Sequence, residues 1–119
     1  MYGRLTKLLA MRKESSANFE NQQTLTDFCN ASKTLLMISG RWKLSILFGL
    51  LQHDSRTFSD FKQLLPSISD RMLALHLKQL TNDFLIVKEK KQDSVCYTIS
   101  EKGKSLKDIL SGLAKWQAL

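Results

Sequence analysis

The sequence predicts a mainly α-helical domain that carries one small β-hairpin. Two predicted helices, 58–65 and 69–80, are separated by a turn of only three residues. Two β-prone stretches follow, at 84–87 and 95–99, and a charged segment lies between them. A helix, a tight turn and a second helix, followed by a basic hairpin, are the arrangement of a winged helix-turn-helix.

Composition narrows the classes of protein that remain. A chain of 119 residues that is 43% hydrophobic fits one domain with a buried core. The net charge of +7 favours a polyanionic partner, although charge alone leaves nucleic acid and an ordinary basic protein about equally plausible. No apolar run has signal-peptide or membrane-span length, and two distant cysteines make no disulfide framework. We therefore expect a cytoplasmic protein with reduced thiols and no membrane contact.

The first 25 residues form a separate N-terminal extension in this prediction. Leu5 and Leu8 have helical spacing, and this short helix either docks on a partner or is disordered, whereas 13–24 are polar and predict a loop or a frayed segment. Residues 26–100 then form the winged helix-turn-helix domain, and 101–119 a C-terminal dimerisation helix.

Two helices begin the predicted domain. Apolar spacing predicts helices over 29–38 and 41–51, with Ser39 and Gly40 between them. Thr57 and Asp60 resemble a capping box at the start of the next, short helix, which Pro66 ends.

The helix after Pro66 is the predicted DNA-reading helix. Ser69 is a good N-cap, and at 100° per residue Leu73, Leu77 and Leu80 share one face. Arg71 on the opposite face suits bidentate contact with guanine. The residues expected to contact double-stranded DNA from this helix are Ser69, Arg71, Ala74, Leu75, Lys78 and Gln79.

The charged segment of the hairpin provides a second predicted DNA contact. Lys88, Lys90 and Lys91 would contact phosphates. A solvated hairpin tip is the alternative, but the preceding helix favours phosphate contact.

A winged helix that docks proteins without reading DNA is the alternative function, and Arg71 and Lys78 argue against it. A binder of single strands or RNA would expose aromatic side chains on its sheet, whereas we expect Phe84 and Tyr97 to be buried.

The C-terminal region predicts self-association. Ser100 caps a last helix, whose apolar stripe comprises Leu106, Ile109, Leu110, Leu113 and Trp116. The DNA-reading elements are complete before this helix begins, so the stripe needs another surface. A second copy of the chain is favoured over packing against its own domain, because two-fold proteins match two-fold operators. Leu5 and Leu8 could extend this interface.

Several short motifs resemble those of the HxlR-type winged helix-turn-helix regulators, which are relatives of the MarR-like regulators. They occur in order over roughly residues 28 to 117: Cys29, Ile38-Ser-Gly-Arg-Trp-Lys, Thr57-Phe-Ser-Asp-Phe, Pro66-Ser-Ile-Ser with Met72-Leu, Tyr97-Thr-Ile-Ser-Glu-Lys-Gly, and Trp116. The resemblance implies a homodimeric, DNA-binding transcription regulator. The chain departs from the family pattern at Asn30, where the family has proline, and at Phe84, where it has glycine. Asn82 could supply the left-handed cap instead, and the wing is shorter and lacks proline.

Cys29 is a candidate redox sensor. We expect it within one turn of a helix N-terminus, where the dipole would favour a thiolate. The resemblance implies sensing of oxidants or electrophiles at the matching cysteine, and a small buried side chain is the alternative. We also expect an oxidant or a small-molecule effector as a partner of such a regulator.

The histidines and cysteines lack metal-ligand spacing, and the sequence shows no nucleophile with its base. We therefore expect no bound metal, no cofactor and no enzymatic activity.

Overall fold

The computed structural model describes the backbone of residues 13–119 and the side chains of residues 18–119. The elements in chain order are α1 (Lys13–Ile38), α2 (Arg41–Gln52), β1 (Ser55–Thr57), α3 (Phe58–Leu64), α4 (Asp70–Asn82), β2 (Ile86–Lys91), β3 (Ser94–Ile99), α5 (Glu101–Lys104) and α6 (Lys107–Gln117). The chain divides into two compact units, Met1–Met37 and Ile38–Leu119. The predicted class, a mainly helical winged helix-turn-helix, is confirmed.

Helix α1 corrects two predictions. The polar stretch 13–24 is helical, not a loop, and the helix does not begin at Cys29. No glycine or proline interrupts 13–38, and Gln23 donates to Asp27 one turn away at 3.2 Å. These local features support a helix that has no apolar periodicity in its first half.

Helix α2 is the central element of the second unit. Gly40 precedes it at φ 100°, a backbone conformation that suits glycine and ends the preceding helix. The side chains of Ile46, Leu47 and Leu50 are completely buried, as the crowded apolar pattern predicts.

A short strand missed by the sequence interpretation follows α2. β1 pairs antiparallel with β3, and β3 with β2, so the sheet order is β1-β3-β2. Arg56 on β1 donates its Nε–H to the carbonyl of Gly49 at 2.9 Å, which ties this edge of the sheet to α2.

The predicted capping box at α3 is confirmed. Asp60 N donates to Thr57 Oγ1 at 3.1 Å, and Thr57 N donates to Asp60 Oδ2 at 2.9 Å. The hydrogen bond from the Thr57 backbone holds the pKa of Asp60 below its ordinary value.

The core of the second unit joins the helices to the base of the hairpin. Its largest buried side chains come from the end of α1, α2, α3, the turn, α4, the segment that leads into β2, and α6: Ile38, Ile46, Leu47, Leu50, Phe61, Ile68, Leu73, Leu77, Leu80, Leu85, Ile86 and Leu110. The helix-turn-helix and the wing therefore share one core, and this fixes their relative orientation.

The end of α4 differs from the prediction. Phe84, not Asn82, takes the left-handed conformation, with φ 62°. Its N–H donates to the Thr81 carbonyl at 3.0 Å, and the N–H of Leu85 donates to the Leu80 carbonyl at 3.0 Å. These two bonds are a Schellman motif, normally built on glycine. Phe84 is also 72% exposed and precedes the strand, so its predicted burial is wrong.

The C-terminal region contains two helices where the sequence predicted one. Ser100 caps α5 through its Oγ, which accepts from Gly103 N at 2.9 Å. A turn at Ser105 and Leu106 separates α5 from α6. A Cβ on Gly103 would lie 2.2 Å from the Leu85 carbonyl oxygen, so glycine is required where α5 meets the base of the wing.

Candidate nucleic-acid interface

Helix α4 has one buried and one exposed face. Leu73, Leu77 and Leu80 are buried, with at most 1% of their surface exposed, as predicted. Of the six DNA contacts predicted for this helix, Gln79 is half-buried and five are exposed: Ser69, Arg71, Ala74, Leu75 and Lys78. The surface that α4 presents to solvent is therefore cationic, with one leucine in its middle.

The turn before α4 is fixed from both sides. Ser69 Oγ accepts from Met72 N at 3.1 Å, which confirms the predicted N-cap. Lys62 donates to the Ile68 carbonyl and forms an ion pair with Asp70 at 3.0 Å. Ile68 is buried, so this three-residue turn is anchored in the core, and α4 has a fixed direction.

The lysines of the wing lie on a strand, not at a flexible tip. The hairpin turn consists of Gln92 and Asp93, and Lys88 to Lys91 belong to β2. Lys88 pairs with Tyr97, and Lys91 pairs with Ser94. Successive side chains on a strand alternate between its faces. Lys88 and Lys90 therefore share one face, and Lys91 lies on the other.

The face of β2 that carries Lys88 borders a cleft beside α4. This cleft has a volume of about 360 Å³ and is lined by residues of α3, α4, β2 and β3: Phe58, Ala74, Lys78, Thr81, Asn82, Lys88 and Tyr97. Lys78 of α4 and Lys88 of the wing thus border one cleft. We refer to it as the wing cleft.

Tyr97 was expected to be buried and was assigned no role at a site; it is half-buried and lines the cleft. Its ring packs at 59° against Phe61, with the ring centroids 6.3 Å apart. Burial raises the pKa of the Tyr97 phenol above its ordinary value. The phenol therefore stays protonated and neutral at physiological pH. The alternation of Val95, Tyr97 and Ile99 indicated a strand, but the cleft depends on contacts between four separate elements.

The predicted dimerisation stripe divides into two sets. Leu106 and Leu110 are 8% and 0% exposed within the chain, so their surface is already used and they cannot supply a dimer interface as predicted. Leu106 and Leu110 are buried because the turn at 105–106 lets α6 pack against its own domain. Ile109, Leu113 and Trp116 remain 51%, 48% and 72% exposed. Leu5 and Leu8 lie outside the described residues.

Cys29 lies in the middle of α1, not at a helix N-terminus. The predicted activation of its thiol by the helix dipole is therefore wrong, because that effect is confined to the first turn. Its side chain is exposed, whereas Cys96 is buried in β3. At helical spacing, Cys29 shares a face of α1 with Leu25 and Leu36, both also exposed.

In the described part of the chain, no three His, Cys, Asp or Glu side chains are grouped closely enough to hold a metal ion. No single helix in the described residues is long and apolar enough to cross a membrane; 18–38 and 41–52 reach that length and apolar character only when taken together.

The fold and this cationic surface define a winged helix-turn-helix protein of the DNA-binding class. The sequence profile of the HxlR-like helix-turn-helix family matches residues 37–119. The chain therefore belongs to the HxlR-like family and is a transcription regulator of the HxlR and MarR type.

Three similarities illustrate this membership. The HTH-type transcriptional regulator YtcD of Bacillus subtilis (strain 168) is 40% identical over 88 residues, which are 71% of this chain and 69% of that protein. A crystal structure of YtcD superposes with a TM-score of 0.68 at 38% identity and covers 74% of this chain and 92% of that chain. The redox regulator HypR in its reduced form has a TM-score of 0.69 at 30% identity, over 73% of this chain and 88% of that one.

Proposed function

We propose that this chain binds double-stranded DNA as a homodimer in the cytoplasm and regulates transcription from a pseudo-palindromic operator. One observation carries the proposal: α4 buries one stripe of leucines in the core and presents Arg71, Leu75 and Lys78 to solvent. A helix fixed by its core face and cationic on the other suits insertion into the major groove.

Each exposed side chain of α4 has a distinct task in this proposal. The Arg71 guanidinium can donate two parallel hydrogen bonds to a guanine. Leu75 can contact a thymine methyl group. Lys78 is close to the wing and suits a backbone phosphate, which positions the protein without reading sequence.

The wing adds electrostatic contacts on one face. Lys88 and Lys90 share the face that borders α4. Glu89, on the opposite face, accepts a hydrogen bond from Thr98 Oγ1 at 3.0 Å, so its charge points away from the two lysines. This separation leaves the face beside α4 cationic and suited to phosphates.

The exposed part of α6 provides the proposed dimer contact. Ile109, Leu113 and Trp116 occur at i, i+4 and i+7 and stay exposed after Leu106 and Leu110 have been buried. A two-fold axis through this stripe would cover it with the same residues of a second copy.

The direct test is selection of sequences from a random DNA library by the purified protein at stated salt. We expect two inverted half-sites whose centres are one helical turn or a multiple of it apart. Binding should weaken steeply with salt as counterions return to the phosphates. Tight binding of a single half-site by a monomer would contradict the dimer.

Regulation through Cys29 is a second proposal, favoured by its exposure and by the similarity to the redox regulator HypR. Peroxide would oxidise the thiol to a sulfenic acid and be reduced to water. The polar product would lie on the exposed stripe shared with Leu25 and Leu36 and would disfavour any apolar contact of that face.

The experiment for Cys29 measures DNA affinity before and after mild peroxide treatment. The wild type should lose affinity and Cys29→Ser should not, whereas Cys96→Ala should respond like the wild type because Cys96 is buried. Equal responses of the wild type and Cys29→Ser would show that Cys29 has no sensing role.

A further inference from the structure

We propose that Lys62 is a positioning residue for DNA recognition: its ammonium group sets the direction of α4 and neutralises Asp70, without contacting DNA itself. This role rests on the DNA interface proposed above and extends it to α3, the helix that carries Lys62. The Lys62 ammonium donates to the Ile68 carbonyl and forms an ion pair with Asp70 at 3.0 Å. One side chain therefore joins α3 to the turn and to the first residue of α4.

The carbonyl of Ile68 lies outside the hydrogen-bond ladder of α4. The first backbone bond of that ladder runs from Leu73 N to the Ser69 carbonyl, at 2.9 Å. Backbone carbonyls beside the core are normally paired with a donor, and the Ile68 side chain is only 2% exposed. The Lys62 ammonium supplies this donor from α3. The bond fixes the backbone one residue before the Ser69 N-cap, where the direction of α4 is set.

Asp70 needs a neutralising partner where α4 would meet DNA. Its side chain is 79% exposed, whereas that of Lys62 is 32% exposed. A carboxylate in the first turn stabilises the helix through the helix dipole. However, the first residues of a DNA-reading helix enter the major groove, where an unpaired carboxylate would repel the phosphates. The Lys62 ammonium cancels this charge while Asp70 keeps its favourable position in the helix.

The contacts of Lys62 give it an indirect role. An ammonium has three N–H donors, and the Ile68 carbonyl and Asp70 use two of them within the chain. An ion pair with a mostly exposed partner contributes little to folding. Loss of Lys62 should therefore change the placement and charge of the first turn of α4 more than the stability of the domain. Arg71, the proposed base-reading residue, follows Asp70 and would be displaced.

The test compares Lys62→Met, Lys62→Arg and Lys102→Met in the full-length protein, on the selected operator and on unrelated DNA. Lys62→Met should weaken operator binding on the order of tenfold, as loss of a hydrogen bond to a charged group does, and should reduce the preference for the operator. Lys62→Arg should retain most of the affinity, because a guanidinium can donate to both acceptors. Lys102→Met removes the same charge from an exposed position of α5 and should bind like the wild type.

A second background separates an action through Asp70 from a direct phosphate contact. Lys62→Met should cost less operator affinity in a chain that also carries Asp70→Asn, because no carboxylate is then left unpaired. NMR should show the largest amide shifts of Lys62→Met near Ser69, Asp70 and Arg71. Equal costs of Lys62→Met in the two backgrounds would overturn the positioning role and make Lys62 a phosphate contact.

Urea unfolding of the same variants reports folding. We expect the midpoint of Lys62→Met to stay near that of the wild type while its operator binding weakens. If Lys62→Met is unfolded, Lys62→Gln takes its place, because its amide keeps a neutral donor and lacks the charge. Full operator affinity of the folded Lys62 variants, together with a loss in Arg71→Ala, would overturn the role of Lys62 alone. Full affinity of Arg71→Ala would contradict the DNA interface itself.

Discussion

Glycine 103 shows how a single residue joins the helices to the wing. An added methyl group would lie 2.2 Å from the Leu85 carbonyl oxygen and 2.6 Å from Ile99 Cγ1. Both neighbours are held in the core, so neither can yield easily. The sequence shows only that Gly103 lies in the turn capped by Ser100; the tightest contact is with Leu85, which is distant in sequence.

We predict that Gly103→Ala destabilises the protein by about 1–3 kcal/mol, as overpacking of a close contact does. Gly112→Ala is the matched control, because a Cβ there meets no described atom within 4 Å, and alanine in a helix should stabilise by about 0.5–1 kcal/mol. Urea unfolding at fixed protein concentration measures both. Equal effects of the two substitutions would contradict the close approach.

Phe84 shows the opposite mismatch, a large residue where glycine would fit. We predict that Phe84→Gly stabilises by about 0.5–1 kcal/mol, because it relieves left-handed strain and its exposed side chain contributes little packing. Phe84→Ala retains the strain and should give no such gain. Thermal unfolding of the two variants decides the point, and similar melting temperatures would count against strain at this position.

At the scale of elements, α4 combines two kinds of DNA contact. We predict that Arg71→Ala costs about 1–3 kcal/mol on the preferred operator and relaxes sequence preference. Lys78→Ala should weaken all sequences by a similar factor, because phosphate contacts carry no sequence information. Binding measured on the selected operator and on unrelated DNA separates the two effects. If both variants lose only non-specific affinity, base reading lies outside α4.

The wing gives a second prediction at this scale, based on the alternation of its lysines. Lys88→Ala and Lys90→Ala should each lower the salt dependence of DNA affinity by about one unit, the value expected for one lost phosphate contact. Lys91→Ala should leave it nearly unchanged, because its side chain lies on the other face of β2. Affinity over a range of salt concentrations measures all three. A slope that is lowered most by Lys91→Ala would reverse the assigned faces.

At the scale of the whole molecule, the prediction concerns assembly. Leu113→Asp should leave each domain folded but weaken dimerisation by on the order of 30-fold or more, as a truncated interface residue of central importance does. A buried charge without a partner is costly only if the stripe is covered by a second copy. Sedimentation measures the association, and the helical circular dichroism spectrum reports folding.

Leu110→Asp is the contrasting variant for assembly. Leu110 is completely buried within its own chain, so the charge should unfold the domain and not merely separate two copies. A Leu113→Asp protein that still sediments as a dimer would place the interface elsewhere, for example on α1.

The sequence alone determined the features that depend on neighbours within a few residues. The Thr57–Asp60 capping box, the Ser69 N-cap and the leucine stripe of α4 were all predicted correctly, because caps and helical periodicity are local. The exposure of Arg71 and Lys78 follows from the same periodicity. The helical state of 13–24 was missed because its support comes from polar side chains, which leave no apolar pattern.

Only the tertiary structure decided the features that depend on distant contacts. The pairing of β1 with β3 and the burial of Leu106 and Leu110 each require a partner far along the chain. The wing cleft likewise arises only where α3, α4, β2 and β3 meet. Periodicity tells which side chains share a face, but not which neighbouring element covers that face, because that choice is made by the packing of the whole core.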